Sequence, residues 1–101
     1  MFKHTYYIST VSQDEPDYNV TEARRVFENK VEDYFGGFIV QEATGVHYGP
    51  PEHTLVYTIV TPEERASYAE ALASFAAELF LQDSVLLETI EVDAKFVRRR
   101  M

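Results

Sequence analysis

The side chains in this sequence with the clearest capacity for chemistry are His47 and His53, which flank Gly49-Pro50-Pro51, with Glu42 and Glu52 nearby. Two imidazoles and a carboxylate form a donor set that can hold a divalent metal. If the flanking strands pair residue 47 with residue 53, then His47, His53 and Glu52 gather at one hairpin tip as a ligand or metal site. A tip, however, is exposed, has no pocket and offers no outer groups to orient the ligands. The balance therefore falls to a structural or solvated role, and no metal or cofactor is expected. His4 begins the first strand and could join that group only through the tertiary fold. No serine or threonine has a G-x-S-x-G setting, no phosphate loop is present, and no pair of acids has a spacing that implies acid–base catalysis. No catalytic residue is assigned, and the reading leans away from an enzyme.

Charge is the stronger signal. Seventeen acidic and nine basic residues give −8, yet Lys95, Arg98, Arg99 and Arg100 all follow the last acid, Asp93. Residues 1–94 thus carry five basic and seventeen acidic groups, or −12. Such a body repels nucleic acid and anionic membrane, and attracts basic surfaces over a Debye length of about 8 Å at physiological salt. The expected partner is a protein with a basic surface, with no direct nucleic-acid or membrane binding. Asp14, Glu15, Asp17, Glu22, Glu28, Glu32 and Asp33 form the expected acidic, partner-binding face. Absence of cysteine removes disulfides, a thiol nucleophile and Cys-based zinc sites together. It fits a reducing cytoplasm, the expected location. The N-terminus lacks a charged-then-apolar signal pattern, and no apolar run approaches the roughly 20 residues that span a bilayer.

These groups must be positioned by a single domain, since 101 residues suffice for one modest core. Alternating, β-branched and aromatic residues 5–11 predict a first strand. A polar loop, Ser12 to Tyr18, is broken by Pro16. Asn19 caps the helix that follows, with Glu22 three residues on to complete a capping box. Ala23, Val26, Phe27, Val31, Tyr34 and Phe35 fall at helical spacing, Arg24 and Arg25 can pair with Glu28, and Gly36-Gly37 ends the helix. A hairpin over residues 36–60 follows, joined by the stiff Gly-Pro-Pro turn. Gly45 inside its first strand predicts a bulge or a close approach. Thr61-Pro62-Glu63-Glu64 reads as a helix start, with Tyr68, Ala69, Leu72, Ala73, Phe75, Ala76, Leu79 and Phe80 on the apolar side, ending around Gln82-Asp83. Residues 84–97 give a last strand, and the basic tail is expected to fray. The order β-α-β-β-α-β predicts an α+β, ferredoxin-like fold with two helices on one face of a four-stranded antiparallel sheet. Most of the seven tyrosines fall at core-facing positions.

Gly37-Phe38, Gly45, Tyr48, Glu52 and the segment Phe80-Leu81-Gln82-Asp83-Ser84-Val85-Leu86 resemble the DUF3574 family of small bacterial and phage proteins. The resemblance covers about residues 34–88. It departs from the family pattern where tyrosine follows the glycine in place of tryptophan, and over the N-terminal third. It implies the fold and, since the family has no established activity, no catalytic residues.

Together these readings lead to a small acidic protein-binding module. Its concrete form is a phage-type, counter-defence (anti-CRISPR-like) inhibitor docking on a basic nucleic-acid-binding surface of a host complex, and possible homodimerisation through the sheet. The alternatives are a small-molecule enzyme built as a dimeric α+β barrel, with its pocket between sheet and helices and His47, His53 or a tyrosine as acid–base, and a structural oligomer subunit.

Overall fold

A computed structural model describes residues 1–62 and 67–100. Its elements are β1 (Phe2–Ser9), α1 (Val20–Phe35), β2 (Ile39–Gly45), β3 (Glu52–Thr61), α2 (Tyr68–Leu79) and β4 (Leu86–Glu91). The strands form one antiparallel sheet in the order β2-β3-β1-β4, with β1 and β3 central. This is the ferredoxin-like α+β arrangement, with both helices on one face.

Local chemistry sets the boundaries. The Asn19 side chain accepts a hydrogen bond from the Glu22 N–H at 3.0 Å and so starts α1. The Glu22 carboxylate does not complete a capping box; it pairs with Arg25. At the far end Gly36, at φ 81°, donates its N–H to the Glu32 carbonyl, a left-handed cap that glycine adopts without a steric penalty. The expected start of the second helix rests partly on Glu63 and Glu64, which lie outside the described residues. Thr61 itself closes β3, and its hydroxyl bonds to His4. The last strand is shorter than alternation predicted. Val92 donates its N–H to the Met1 carbonyl, and beyond it the chain leaves the sheet.

Residues directly opposite in an antiparallel sheet share a face, so the register sorts the side chains. Tyr6 and Ile8 of β1 and Leu55, Tyr57 and Ile59 of β3 meet Ala23, Phe27 and Val31 of α1 and Ala69, Leu72, Ala76 and Phe80 at α2. Phe27 is the centre. Its ring lies edge-on to Tyr57 at 4.9 Å, Phe80 at 6.1 Å and Tyr6 at 6.2 Å, arrangements that favour aromatic pairs beyond their burial. The Tyr6 hydroxyl donates to the Ala69 carbonyl at 2.8 Å and ties β1 to α2. The Tyr57 hydroxyl donates to Glu28 at 2.7 Å and ties β3 to α1. Burial pushes both phenols well above the ordinary tyrosine value, for Tyr57 with help from Glu28. Only these two tyrosines are core; Tyr34, Tyr48 and Tyr68 are exposed.

Candidate functional site: a carboxylate-lined groove on the open sheet face

The face of the sheet away from the helices carries cross-strand rows that the register fixes. Gly45 lies opposite Glu52, Ala43 opposite Thr54 and Thr54 opposite Ser9. The next row runs Gln41, Val56, Tyr7, Leu86. Three loops rise around the end of these rows: residues 11–14 after β1, the hairpin tip, and residues 81–84 between α2 and β4. Floor and loops enclose a groove of about 980 Å³.

Glu52 is its best-placed reactive group. The residue is half-buried, and its Oε2 accepts a 2.5 Å hydrogen bond from the Ser9 hydroxyl. Ser9 Oγ in turn accepts from the Val11 N–H at 3.2 Å, so its single proton is directed to the carboxylate. The other carboxylate oxygen has no protein donor among the described residues. Opposite Glu52 stands Gly45, where an added Cβ would sit 2.7 Å from Thr54 Oγ1. The close approach expected of this glycine is thus a crossing of side chain over strand, and it keeps the space beside Glu52 clear. Gln82 holds the walls together: its amide donates to the Val11 carbonyl at 2.8 Å and to the Phe80 carbonyl at 3.0 Å. Leu81 accepts a left-handed backbone, φ 52°, to bring Gln82 there. Glu52, Asp14 and Asp83 line the groove, and no lysine or arginine does so among the described residues. A carboxylate fixed on one oxygen and open on the other, in an anionic surround, can hold an organic cation or receive a proton.

The expected hairpin-tip cluster does not form. The register places His53 opposite Thr44, not opposite His47, and puts Glu52 and His53 on opposite faces because neighbours along a strand alternate. His47 stays at the tip against the Tyr48 ring. His53 turns to the helix side, with Nδ1 2.9 Å from Thr10 Oγ1 and Nε2 3.1 Å from Glu42 Oε1. This hydroxyl–imidazole–carboxylate chain resembles a nucleophile with its base. Thr10 is buried, however, and its hydroxyl also donates to the His53 carbonyl at 3.2 Å. Its role is to clip the hairpin to the end of β1. Among the described residues no cluster of histidine and acidic side chains could hold a metal ion.

Nor do the seven acids form one face. Glu22 pairs with Arg25, and Glu28 with Arg24 at 2.6 Å and with Tyr57. Glu32 and Asp33 sit at the far end of a 16-residue helix about 24 Å long, away from Asp14, Glu15 and Asp17. Asp14 joins the groove instead.

His4 is buried between β3 and β4. Its Nδ1 lies 2.9 Å from Thr89 Oγ1 and its Nε2 3.0 Å from Thr61 Oγ1. Burial pushes its pKa below the ordinary value. A recess of about 620 Å³ on the helix side reaches it, but both ring nitrogens are already engaged. Sequence reasoning missed the Ser9–Glu52 pair and the Gln82 clamp, since both depend on pairing across 43 and 71 positions. Their only sequence signal was that Gly45, Glu52 and Gln82 belong to the motifs carrying the family resemblance.

No protein-family model matches the chain, and no functionally described protein matches its sequence. Among solved structures it is similar to a phage SAM lyase in its apo state, at TM-score 0.63 and 17% identity, covering 96% of this chain and 92% of the other. It is also similar to a DUF3240 family protein from Shewanella baltica, at TM-score 0.64 and 10% identity, covering 97% of each. An Arabidopsis thaliana protein aligns at TM-score 0.58 and 15% identity, over 96% of this chain and 100% of that one. At these identities the likenesses carry the small α+β fold and no activity. No helix among the described residues is long and apolar enough to cross a membrane.

Proposed function

We propose that the open-face groove is a binding site for a small organic cation, with Glu52 as its charge partner and candidate proton acceptor. The observation that carries this reading is the Glu52 carboxylate, half-buried on the groove floor, oriented by Ser9 and accompanied by two further acids without a lysine or arginine. Two observations support it. Residues of the DUF3574-like motifs, Gly45, Glu52 and Gln82, converge on the groove, and assignment of residues 34–88 to that family is part of this proposal. A SAM lyase shares the fold, and SAM carries a sulfonium cation, which makes it the first ligand to test. A thermal-shift titration with SAM and other small organic cations, run beside neutral isosteres, tests the reading. Stabilisation by cations alone, lost in Glu52→Gln, is expected. Equal response to neutral isosteres, or no response to any cation, contradicts it.

A second reading, the acidic protein-binding module, rests on the −12 charge of residues 1–94. In this form the chain is a small phage-type inhibitor on a basic nucleic-acid-binding surface of a host complex. Its contact acids are Glu32 and Asp33, because Glu22 and Glu28 are engaged by arginines, Asp14 lines the groove, and the loop acids lie toward the other end of α1. A stoichiometric basic partner retained from host lysate, released by moderate salt and lost in Glu32→Lys/Asp33→Lys, is the outcome that favours it over the groove.

A further inference from the structure

A second surface stands apart from the groove. The chain beyond Val92 has left the sheet, and past Asp93 it carries Lys95, Arg98, Arg99 and Arg100 with no acid, so that residues 95–101 hold +4 against −12 for residues 1–94. Two large apolar side chains on this arm have almost no cover from their own chain: Phe96 is 96% exposed and Val97 82%. The radius of gyration, 14.6 Å, exceeds the about 13 Å of a compact chain of this size, as a projecting arm requires. The open sheet face, past the groove, is the complementary surface. Its rows run Ile39, Thr58, Thr5, Glu88 and then Val60, Lys3, Ile90. Ile39, Val60 and Ile90 are exposed there, and Lys3 is the only cation in those rows.

We infer that the arm of one copy docks on the open sheet face of a second copy of this chain, Phe96 and Val97 packing on the exposed apolar side chains of those rows while the arginines meet the acidic body. The occupant is a second copy because both halves of the match are present in one sequence: a strongly basic segment whose two large apolar side chains are uncovered, and a sheet face with exposed Ile39, Val60 and Ile90 on a strongly acidic domain. Such an interface joins hydrophobic burial, which sets strength, to opposite charge, which speeds encounter and sets register.

The absence of cysteine makes the test direct. Two singly substituted full-length chains, Val97→Cys and Ile39→Cys, are mixed and oxidised, and the product is resolved on a non-reducing gel. A control pairs Val97→Cys with Glu78→Cys, which places the thiol on an exposed position of α2. The expected result is a mixed disulfide at least tenfold faster for the Ile39 pair than for the control, and slowed by Phe96→Asp in the Val97→Cys chain. In parallel, light scattering of the unmodified protein at about 200 µM should give more than one chain per particle, and Phe96→Asp/Val97→Asp should shift it toward one. A monomeric mass for the unmodified protein, or equal cross-linking to positions 39 and 78, overturns the inference.

Discussion

Replacing His4 by alanine should cost the protein about 3 kcal/mol of stability. The residue is 1% exposed and bridges Thr61 of β3 and Thr89 of β4. Each neutral hydrogen bond contributes a net of about 0.5–1.5 kcal/mol. The Thr89 side can be rehydrated because that residue is exposed. The Thr61 hydroxyl, also 1% exposed, is left buried without a partner, at about 1–3 kcal/mol. Thr61→Val alone should cost about 2 kcal/mol, because it orphans the buried Nε2. The double variant leaves neither group stranded, so the two costs should fall short of additivity by about 1–2 kcal/mol. Urea unfolding of the four proteins, followed by circular dichroism at pH 8, measures this. Additive costs would refute the claim that the imidazole and the Thr61 hydroxyl satisfy one another. The same site sets a pH dependence. Because burial depresses the pKa of His4 in the folded state, the unfolded chain binds the proton more readily. Stability is therefore full above the ordinary histidine value near 6.5 and falls as pH drops below it, toward the depressed folded value. His4→Ala should lack this component of the slope.

Two further perturbations test the fold that carries the groove. Phe27→Ala removes a fully buried ring with three aromatic neighbours; it should cost about 3–5 kcal/mol in urea unfolding, enough to unfold much of a domain stabilised by about 5–15 kcal/mol. Gly36→Ala forces a Cβ onto a left-handed cap at φ 81° and should lower stability by about 1 kcal/mol, although nothing within 4 Å obstructs the added atom.

What was legible in the sequence was what local chemistry determines. Asn19 and Gly36 frame α1 by capping, and the β-α-β-β-α-β order specifies the fold class, whereas the second hairpin strand, apolar on both faces, does not name its buried side. Local patterns say less about register. Pairing of residues 47 and 53 was the condition for a hairpin-tip cluster, whereas β2 ends at Gly45 and the pairing closes at Glu52. That register leaves His47 outside the ladder at the tip, while alternation along β3 puts His53 on the helix side with Leu55 and Tyr57 and Glu52 on the open face. The acidic residues illustrate the same point. Glu22 and Glu28 contribute formal charge in a sequence count, but arginines three and four residues away neutralise them on the helix surface. Tyrosine 48 is 98% exposed because the strand that would have placed it in a core ends three residues earlier.

Glu52 is the proposed charge partner for a cation in the open-face groove. Calorimetric titration of SAM into the full-length protein, beside its uncharged thioether counterpart, tests it most directly. The expected result is binding of the sulfonium, little or none of the thioether, and a loss of about ten- to hundredfold in affinity in Glu52→Gln, as for a charge-assisted contact of about 1.5–3 kcal/mol. Equal affinity for charged and uncharged forms, or unchanged binding in Glu52→Gln, would contradict it.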